Sequence, residues 1–204
     1  MRRPECEGLQ MSKTVAKRLV IDTSVAGASG SGDSPDATSK GCREFLLIMK
    51  DGTKHQVVMF NALELEWGNN QSRFARLWLI AMENKRRVFH TEVPAQRKLR
   101  HQLERVAIKK ADCDAMLKDM FLIEAAFYTD RIVVSLDEKV RNLFHQATEK
   151  ISALTKIAWI NPCISEETPV DWLKNGAELE RERLLGYRRE SSATWRINKR
   201  PVRE

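Results

Sequence analysis

Residues 18–25 read Arg-Leu-Val-Ile-Asp-Thr-Ser-Val, a short apolar run that ends in three polar side chains. A run of this length predicts a buried strand, and Asp22, Thr23 and Ser24 mark its polar end. Further along the chain, similar short runs alternate with longer segments whose apolar residues recur at helical spacing. This alternation predicts an α/β fold in which helices cover both faces of a parallel sheet.

The other predicted elements follow from the same two patterns. Glycine, serine and aspartate make 27–36 a predicted loop, and Pro94 is placed in the first turn of a helix. On the predicted helix 72–85, Phe74, Leu77, Trp78 and Ala81 form the apolar stripe. Four more strands are predicted at 56–60, 90–93, 131–135 and 156–160. Further helices are predicted at 42–49, 62–67, 112–128 and 137–150.

The chain has 204 residues, of which 42% are hydrophobic and 31% charged, so we expect one globular domain. That domain is predicted at 17–165. Residues 1–16 are predicted to be a disordered leader, within which Met11 is an alternative start. Residues 166–204 are predicted to be a partly helical or disordered C-terminal extension, with a fringe helix beginning near residue 178.

Several classes of protein are excluded by pattern. No apolar run approaches the length of a membrane span, and the first ten residues lack the apolar core of a secretory signal. The four cysteines are scattered without a CxxC pair, so we expect reduced thiols in a cytoplasmic protein. The four histidines lack zinc-ligand spacing and are predicted to be surface or loop residues.

Carboxylates lie at or near the predicted strand ends. Asp22 ends the first strand, Asp137 closely follows the strand at 131–135, and Asp119 lies on the helix before that strand. The helix after the second strand carries Glu64 and Glu66. Ligands of an open parallel sheet bind outside the carboxyl ends of its strands, and oxygen-rich sites suit Mg²⁺ or Mn²⁺. The pattern therefore predicts a divalent-metal site.

Each of these carboxylates has a second interpretation. Asp22, followed by Thr23 and Ser24, could simply cap the chain or form a turn at the strand end. Glu64 and Glu66 are two positions apart, about 200° around a helix, so only one of them faces the site. Asp119 sits beside Lys118 on a helix that also carries Asp112 and Asp114, so ordinary surface charge is its alternative. Ser135-Leu136-Asp137-Glu138 is a capping-box pattern, in which Ser135 bonds forward and Glu138 bonds back to the helix terminus.

Four segments, in order, resemble the acidic motifs of PIN-domain nucleases. They are Val-Ile-Asp-Thr-Ser-Val at 20–25, Asn-Ala-Leu-Glu-Leu-Glu-Trp at 61–67, Lys-Asp-Met-Phe-Leu-Ile-Glu-Ala-Ala at 118–126 and Val-Val-Ser-Leu-Asp-Glu at 133–138. The resemblance covers roughly residues 17–165. The chain differs from the small toxin-like members in its loop at 27–36 and its segment after residue 171.

The resemblance implies a three-layer α/β/α sandwich and a metal-dependent endoribonuclease, with Mg²⁺ or Mn²⁺ as cofactor. It also implies RNA as substrate, an antitoxin or other inhibitor protein as a possible partner, and pairing into a homodimer. Carried over by motif, Asp22, Glu66, Asp119 and Asp137 are the catalytic and metal-binding residues. Thr23, Ser24 and Ser135 would support them.

The net charge of +7 is concentrated in one stretch. Between residues 83 and 110, nine lysines and arginines stand against three acidic side chains. A basic helix beside an acidic metal site suits an RNA backbone, although a solvated helix face explains the pattern equally well. The predicted RNA-binding residues are Arg86, Arg87, Arg97, Lys98 and Arg100.

Two other functions compete with the nuclease. The first is a non-catalytic RNA- or protein-binding module on the same fold. The second is a phosphatase with Asp22 as nucleophile, but Ser24 stands where such enzymes have a second aspartate.

Overall fold

The computed structural model describes residues 15–30, 36–106 and 109–187. Within them, the strands are β1 (Arg18–Ile21), β2 (Gln56–Met59), β3 (Val88–His90), β4 (Ile132–Val134) and β5 (Ala158–Ile160). They form one sheet in the order β3-β2-β1-β4-β5, and all neighbouring strands are parallel. The predicted α/β fold with a parallel sheet is confirmed.

β1 lies in the middle of this sheet. Leu19 pairs with Val57 of β2 on one side and with Ile132 of β4 on the other. Leu19, Val20 and Ile21 are all fully buried. A strand that is covered on both faces needs apolar side chains at every position, which explains why a continuous run predicted it.

The helices fall into two groups by their contacts. The described helices are α1 (Thr23–Ala28), α2 (Ala37–Gly52), α3 (Asn61–Asn70), α4 (Arg73–Asn84), α5 (Arg97–Val106), α6 (Lys110–Lys118), α7 (Met120–Tyr128), α8 (Glu138–Ala147) and α9 (Pro169–Lys174). In the first group, α2 contacts α1, α4 and α9, and α1 also contacts α3. In the second, α6 contacts α5, α7 and α8.

The chain order relates these groups to the sheet. From β1 the chain moves outward to β2 and β3, then returns to place β4 on the other side of β1. Because parallel crossovers are right-handed, the two directions of travel put their helices on opposite faces. The arrangement is compatible with three layers, and it places the reversal of strand order between β1 and β4.

The predicted helix at 112–128 is two helices. α6 ends at Lys118 and α7 begins at Met120, and Asp119 between them has φ −95° and ψ 8°. Among the described residues of α6, only Met116 is buried, whereas most residues of α7 are buried. A break lets α7 enter the core on its own axis, which the spacing of apolar residues does not reveal.

Other predicted boundaries also need correction. α5 begins at Arg97 and not at Pro94. α1 occupies the start of the predicted loop, and α2 begins at Ala37 because the Asp36 carboxylate accepts a hydrogen bond from the Ser39 N–H at 2.9 Å. Residues 31–35 of that loop lie outside the described residues.

The apolar face of α4 is rotated from the predicted stripe. Ala75, Trp78 and Met82 are buried, whereas Leu77 is 58% exposed. The prediction was right for Trp78, whose indole N–H donates to the Leu46 carbonyl at 2.5 Å, and wrong for Leu77.

Residues between 166 and 187 pack on the sheet and its helices. α9 contacts α2, and Trp172, Leu173 and Leu185 are buried. Leu184 forms an antiparallel bridge with Ala158 of β5. In place of the predicted fringe helix, the described part of that segment contains a short 3₁₀ helix at Arg181–Arg183. The predicted leader, apart from residues 15 and 16, lies outside the described residues, as does the chain after 187.

His55 lies in the loop before β2, as the prediction of a surface or loop residue allows, but its side chain is buried. Its Nδ1 accepts the Lys17 N–H at 2.9 Å, and its Nε2 lies 2.9 Å from the Leu173 carbonyl. Burial lowers the pKa of His55. The neutral ring therefore joins the residue before β1 to α9.

Among the described helices, none is long and apolar enough to cross a membrane.

Candidate functional site

The candidate site lies at the carboxyl ends of β1 and β4. The Asp22 N–H, directly after β1, donates to the Val134 carbonyl at 2.9 Å, so the ends of the two strands are fixed together. The strand order reverses between these two strands. In doubly wound sheets a ligand crevice forms at such a reversal, because the connections leave in opposite directions.

Two serines hold the Asp22 carboxylate. Its Oδ2 accepts hydrogen bonds from Ser24 Oγ at 2.5 Å and Ser135 Oγ at 2.7 Å. Each serine also accepts a backbone N–H, that of Leu136 for Ser24 and that of Asp137 for Ser135, both at 3.1 Å. Since each hydroxyl proton is committed to Asp22, the orientation of this carboxylate is fixed by both strand ends.

Asp137 is the N-cap of α8. Its Oδ1 accepts the Val140 N–H at 2.8 Å. The predicted capping box is wrong in register, because Ser135 lies outside the helix and Glu138 does not bond back to it. The Glu138 carboxylate instead accepts hydrogen bonds from Asn161 Nδ2 at 3.1 Å and from Arg141 at 3.2 Å.

Asp119 lies at the break between α6 and α7. Its pKa is raised to about 6, chiefly by burial and next by the charge of Asp22, with smaller contributions from Asp137 and Glu66. Lys118 acts in the opposite direction. The mutual influence of these four carboxylates indicates that the fold brings all of them into one region.

The structure separates Glu66 from Glu64. Burial raises the pKa of Glu66, and the nearby Asp22 charge raises it as well. Glu64 is exposed and accepts from His90 Nδ1 at 3.1 Å. Glu66 is therefore the glutamate on the side of Asp22, as its motif position predicts.

Thr23 contributes a buried hydroxyl beside this region. Among the described residues, its Oγ1 has no hydrogen-bond partner in good geometry. It nevertheless lies close enough to Glu66 to lower the pKa of that carboxyl. An unpartnered buried hydroxyl of this kind costs free energy unless water or a ligand meets it.

Lys118 is a member of the region that the sequence reasoning missed. It lowers the pKa of both Glu66 and Asp119, which places its ammonium group near two of the four carboxylates. Its position directly before Asp119 was the only signal in the sequence. A local cation partly offsets the repulsion among the carboxylates.

In the described ranges, no three His, Cys, Asp or Glu side chains are close enough together to hold a metal ion jointly. The donor chemistry nevertheless fits a hard divalent cation, since the region offers carboxylate and hydroxyl oxygens. Among the described residues, the buried Thr23 hydroxyl lacks a partner in good geometry and Asp119 has a raised pKa, and both features also fit a cation at this position.

The basic stretch does not form one surface. Arg87 directly precedes β3, and its guanidinium donates to the carbonyls of Lys50, Thr53 and Met49 at the end of α2. Arg86 is its neighbour. Both lie at the amino ends of the strands, the edge opposite Asp22, so Arg86 and Arg87 do not lie beside the acidic residues as the prediction for the basic stretch expected.

The basic residues of α5 divide into two kinds. Arg97 and Lys98 are exposed at its first turn. Arg100 instead binds the buried Glu124 of α7 through two hydrogen bonds of 2.8 and 2.6 Å. The Gln96 N–H donates to the same carboxylate at 2.6 Å. Arg100 therefore has a structural partner, while Arg97 and Lys98 face solvent.

The chain has no match among protein-family models, and no curated protein is significantly similar to it in sequence.

Proposed function

We propose that this protein is a metal-dependent endoribonuclease of the PIN type. The observation that carries the proposal is the gathering of Asp22, Glu66, Asp119 and Asp137, from four segments, at the reversal point of a parallel sheet. Four carboxylates in one region repel one another, and a divalent cation removes that cost. The four PIN-like motifs in sequence order add support.

In this proposal the four carboxylates hold Mg²⁺ or Mn²⁺, directly or through water. When bound, such an ion lowers the pKa of a coordinated water and stabilises the leaving oxygen of a phosphodiester. Ser24 and Ser135 keep the Asp22 carboxylate in one orientation. Asp119, whose pKa is raised to about 6, gives up its proton more readily when a cation is near.

The proposed RNA contact is the exposed first turn of α5. Arg97 and Lys98 lie there without the backbone and carboxylate partners that engage Arg87 and Arg100. Lysine and arginine bind phosphate through charge and release counterions, so binding would weaken as the salt concentration rises.

The test is cleavage of single-stranded RNA by the full chain with Mg²⁺ or Mn²⁺, and with EDTA in place of the metal. We expect Asp22→Asn and Asp119→Asn to reduce the rate at least about 100-fold, and Ser135→Ala to reduce it about tenfold, as expected for a residue that orients a ligand. Asp51→Asn is the matched control, because Asp51 is exposed and pairs with Lys85 beside Arg87, at the opposite edge of the sheet.

Equal cleavage by the wild type and Asp22→Asn would refute the nuclease. RNA binding that Arg97→Ala weakens, without metal-dependent cleavage by the wild type, would instead support a non-catalytic binding module.

A further inference from the structure

Two cysteines distant in sequence meet beside β5. Cys42 lies on α2 and is buried, and Cys163 lies in the turn after β5 and is exposed. Their sulfur atoms are 3.7 Å apart. The contact involves neither the four carboxylates nor the basic helix, so the proposed nuclease does not account for it.

Gly41 permits this approach. A Cβ atom at position 41 would lie 3.2 Å from Cys163 Sγ and 3.3 Å from the Pro162 carbonyl oxygen. Glycine inside a helix costs about 1 kcal/mol relative to alanine, so its presence in α2 has a packing reason here. The backbone of the turn can therefore lie directly against α2.

The two thiols are chemically different. The Cys42 hydrogen bond lowers the pKa of Cys163, although burial and the nearby Asp36 carboxylate act in the opposite direction. The same hydrogen bond and burial raise the pKa of Cys42. Because the thiolate is the nucleophile, the exposed Cys163 is the reactive member of the pair and Cys42 is its buried neighbour.

We propose that Cys163 is an oxidation site and that Cys42 is its resolving thiol, so that a hydroperoxide converts the pair to an intrachain disulfide. The two sulfurs must close from 3.7 Å to about 2.05 Å, which requires a small shift of the turn at Cys163.

The reaction balances with hydrogen peroxide as oxidant. The Cys163 thiolate attacks one peroxide oxygen, the O–O bond breaks, and the departing hydroxide takes up a proton to become water. Cys42 then loses its proton as its sulfur attacks the sulfenic acid of Cys163, and the S–O bond breaks to release a second water. Two thiols are oxidised to one disulfide, and one peroxide is reduced to two waters.

The test is peptide mapping of the reduced full chain after limiting hydrogen peroxide, with free thiols blocked before digestion. We expect a Cys42–Cys163 cross-linked peptide, the loss of two of the chain's four thiols, and full reversal by dithiothreitol. Cys113 is the internal comparison, because burial raises the pKa of that partly exposed thiol and it should oxidise more slowly.

Two variants make the outcome specific. Cys113→Ser should still form the cross-link, whereas Cys42→Ala should stop at the sulfenic acid of Cys163, which dimedone traps. A cross-link from Cys163 to Cys6 or to a second molecule, or oxidation of Cys113 before Cys163, would overturn the proposal. The wild-type map alone decides this if Cys42→Ala fails to fold.

Discussion

The Asp22 carboxylate takes its orientation from two hydroxyls that belong to different parts of the chain. Ser24 is two residues away, whereas Ser135 follows β4 and is brought to Asp22 by the pairing of β1 with β4. Each serine also accepts a backbone N–H, so neither hydroxyl can rotate away without losing two hydrogen bonds. This residue-scale arrangement preorganises one oxygen donor at the carboxyl edge of the sheet.

Asp119→Asn should stabilise the metal-free protein at neutral pH. The folded protein holds the Asp119 proton up to about pH 6, against a usual aspartate pKa of 3.8, so folding stability falls as the pH rises through this window. Above this pH range Asp119 is charged in the folded state, and the cost of burying that charge reduces the folding stability in full. Removing it should add about 1 kcal/mol to the free energy of unfolding, a value reduced because the side chain is partly solvated.

Urea unfolding in EDTA measures this gain at about pH 7.5 and again at about pH 4. At the lower pH the folded state keeps the proton and roughly half of the unfolded chains keep it too, so the difference should be much smaller. Excess Mg²⁺ should reverse the difference at the higher pH if the cation binds only the wild type. Asp51→Asn, at an exposed carboxylate paired with lysines, should show no gain. A gain that is the same at both pH values would contradict the explanation.

At the scale of elements, α5 has two roles that its sequence does not separate. Its first turn presents Arg97 and Lys98 to solvent, and one turn later Arg100 reaches the buried Glu124 of α7. A carboxylate that is 3% exposed requires partners, and Arg100 together with the Gln96 N–H supplies them. The ion pair therefore attaches the basic helix to the core.

Arg100→Ala should destabilise the protein by about 2 kcal/mol, because Glu124 would remain buried with its charge unpaired. The effect is smaller than for a fully buried pair, since Arg100 itself is 34% exposed. Arg97→Ala, at an exposed position of the same helix, should leave the midpoint of thermal unfolding unchanged and weaken RNA binding. Thermal unfolding and RNA-binding titrations of the two variants distinguish these roles. Equal unfolding midpoints for the two variants would show that the pair contributes no stability.

At the scale of the whole molecule, the chain after β5 completes the fold. α9 packs on α2, and Trp172 is buried with its indole N–H donating to the Glu178 carbonyl at 2.8 Å. The Arg183 guanidinium lies 5.1 Å from the centre of the Trp172 ring. The Leu184 bridge then borders β5 at the edge of the sheet. Residues far apart in sequence thus share one core.

Trp172→Ala should lower the free energy of unfolding by about 3–5 kcal/mol, the usual cost of truncating a buried aromatic side chain. Leu179→Ala is the control, because Leu179 is 39% exposed in the same segment and should change stability by less than about 1 kcal/mol. Denaturant unfolding followed by circular dichroism measures both. If the two variants differ little from the wild type, the segment after β5 is not part of the cooperative core.

Local pattern in the sequence predicted four of the strands and the strand-end acids, whereas the third strand, predicted at 90–93, lies at Val88–His90. β1 and β4 are buried on both faces, so each is a continuous apolar run, and the polar residues that follow necessarily lie near the sheet's carboxyl edge. Asp22 and Asp137 could be placed in this way. Glu66 could be preferred to Glu64 only by motif position. Helical spacing shows that the two glutamates lie on different faces of α3, but it does not indicate which face is turned toward Asp22.

Tertiary structure alone decided which distant groups meet. The break at Asp119, the attachment of Arg100 to Glu124 and the approach of Cys163 to Cys42 each depend on packing between elements that are remote in sequence. The spacing of apolar residues indicates which side chains are buried, because burial repeats with the period of the helix or strand. It does not record the partner, which is fixed only when all elements pack together.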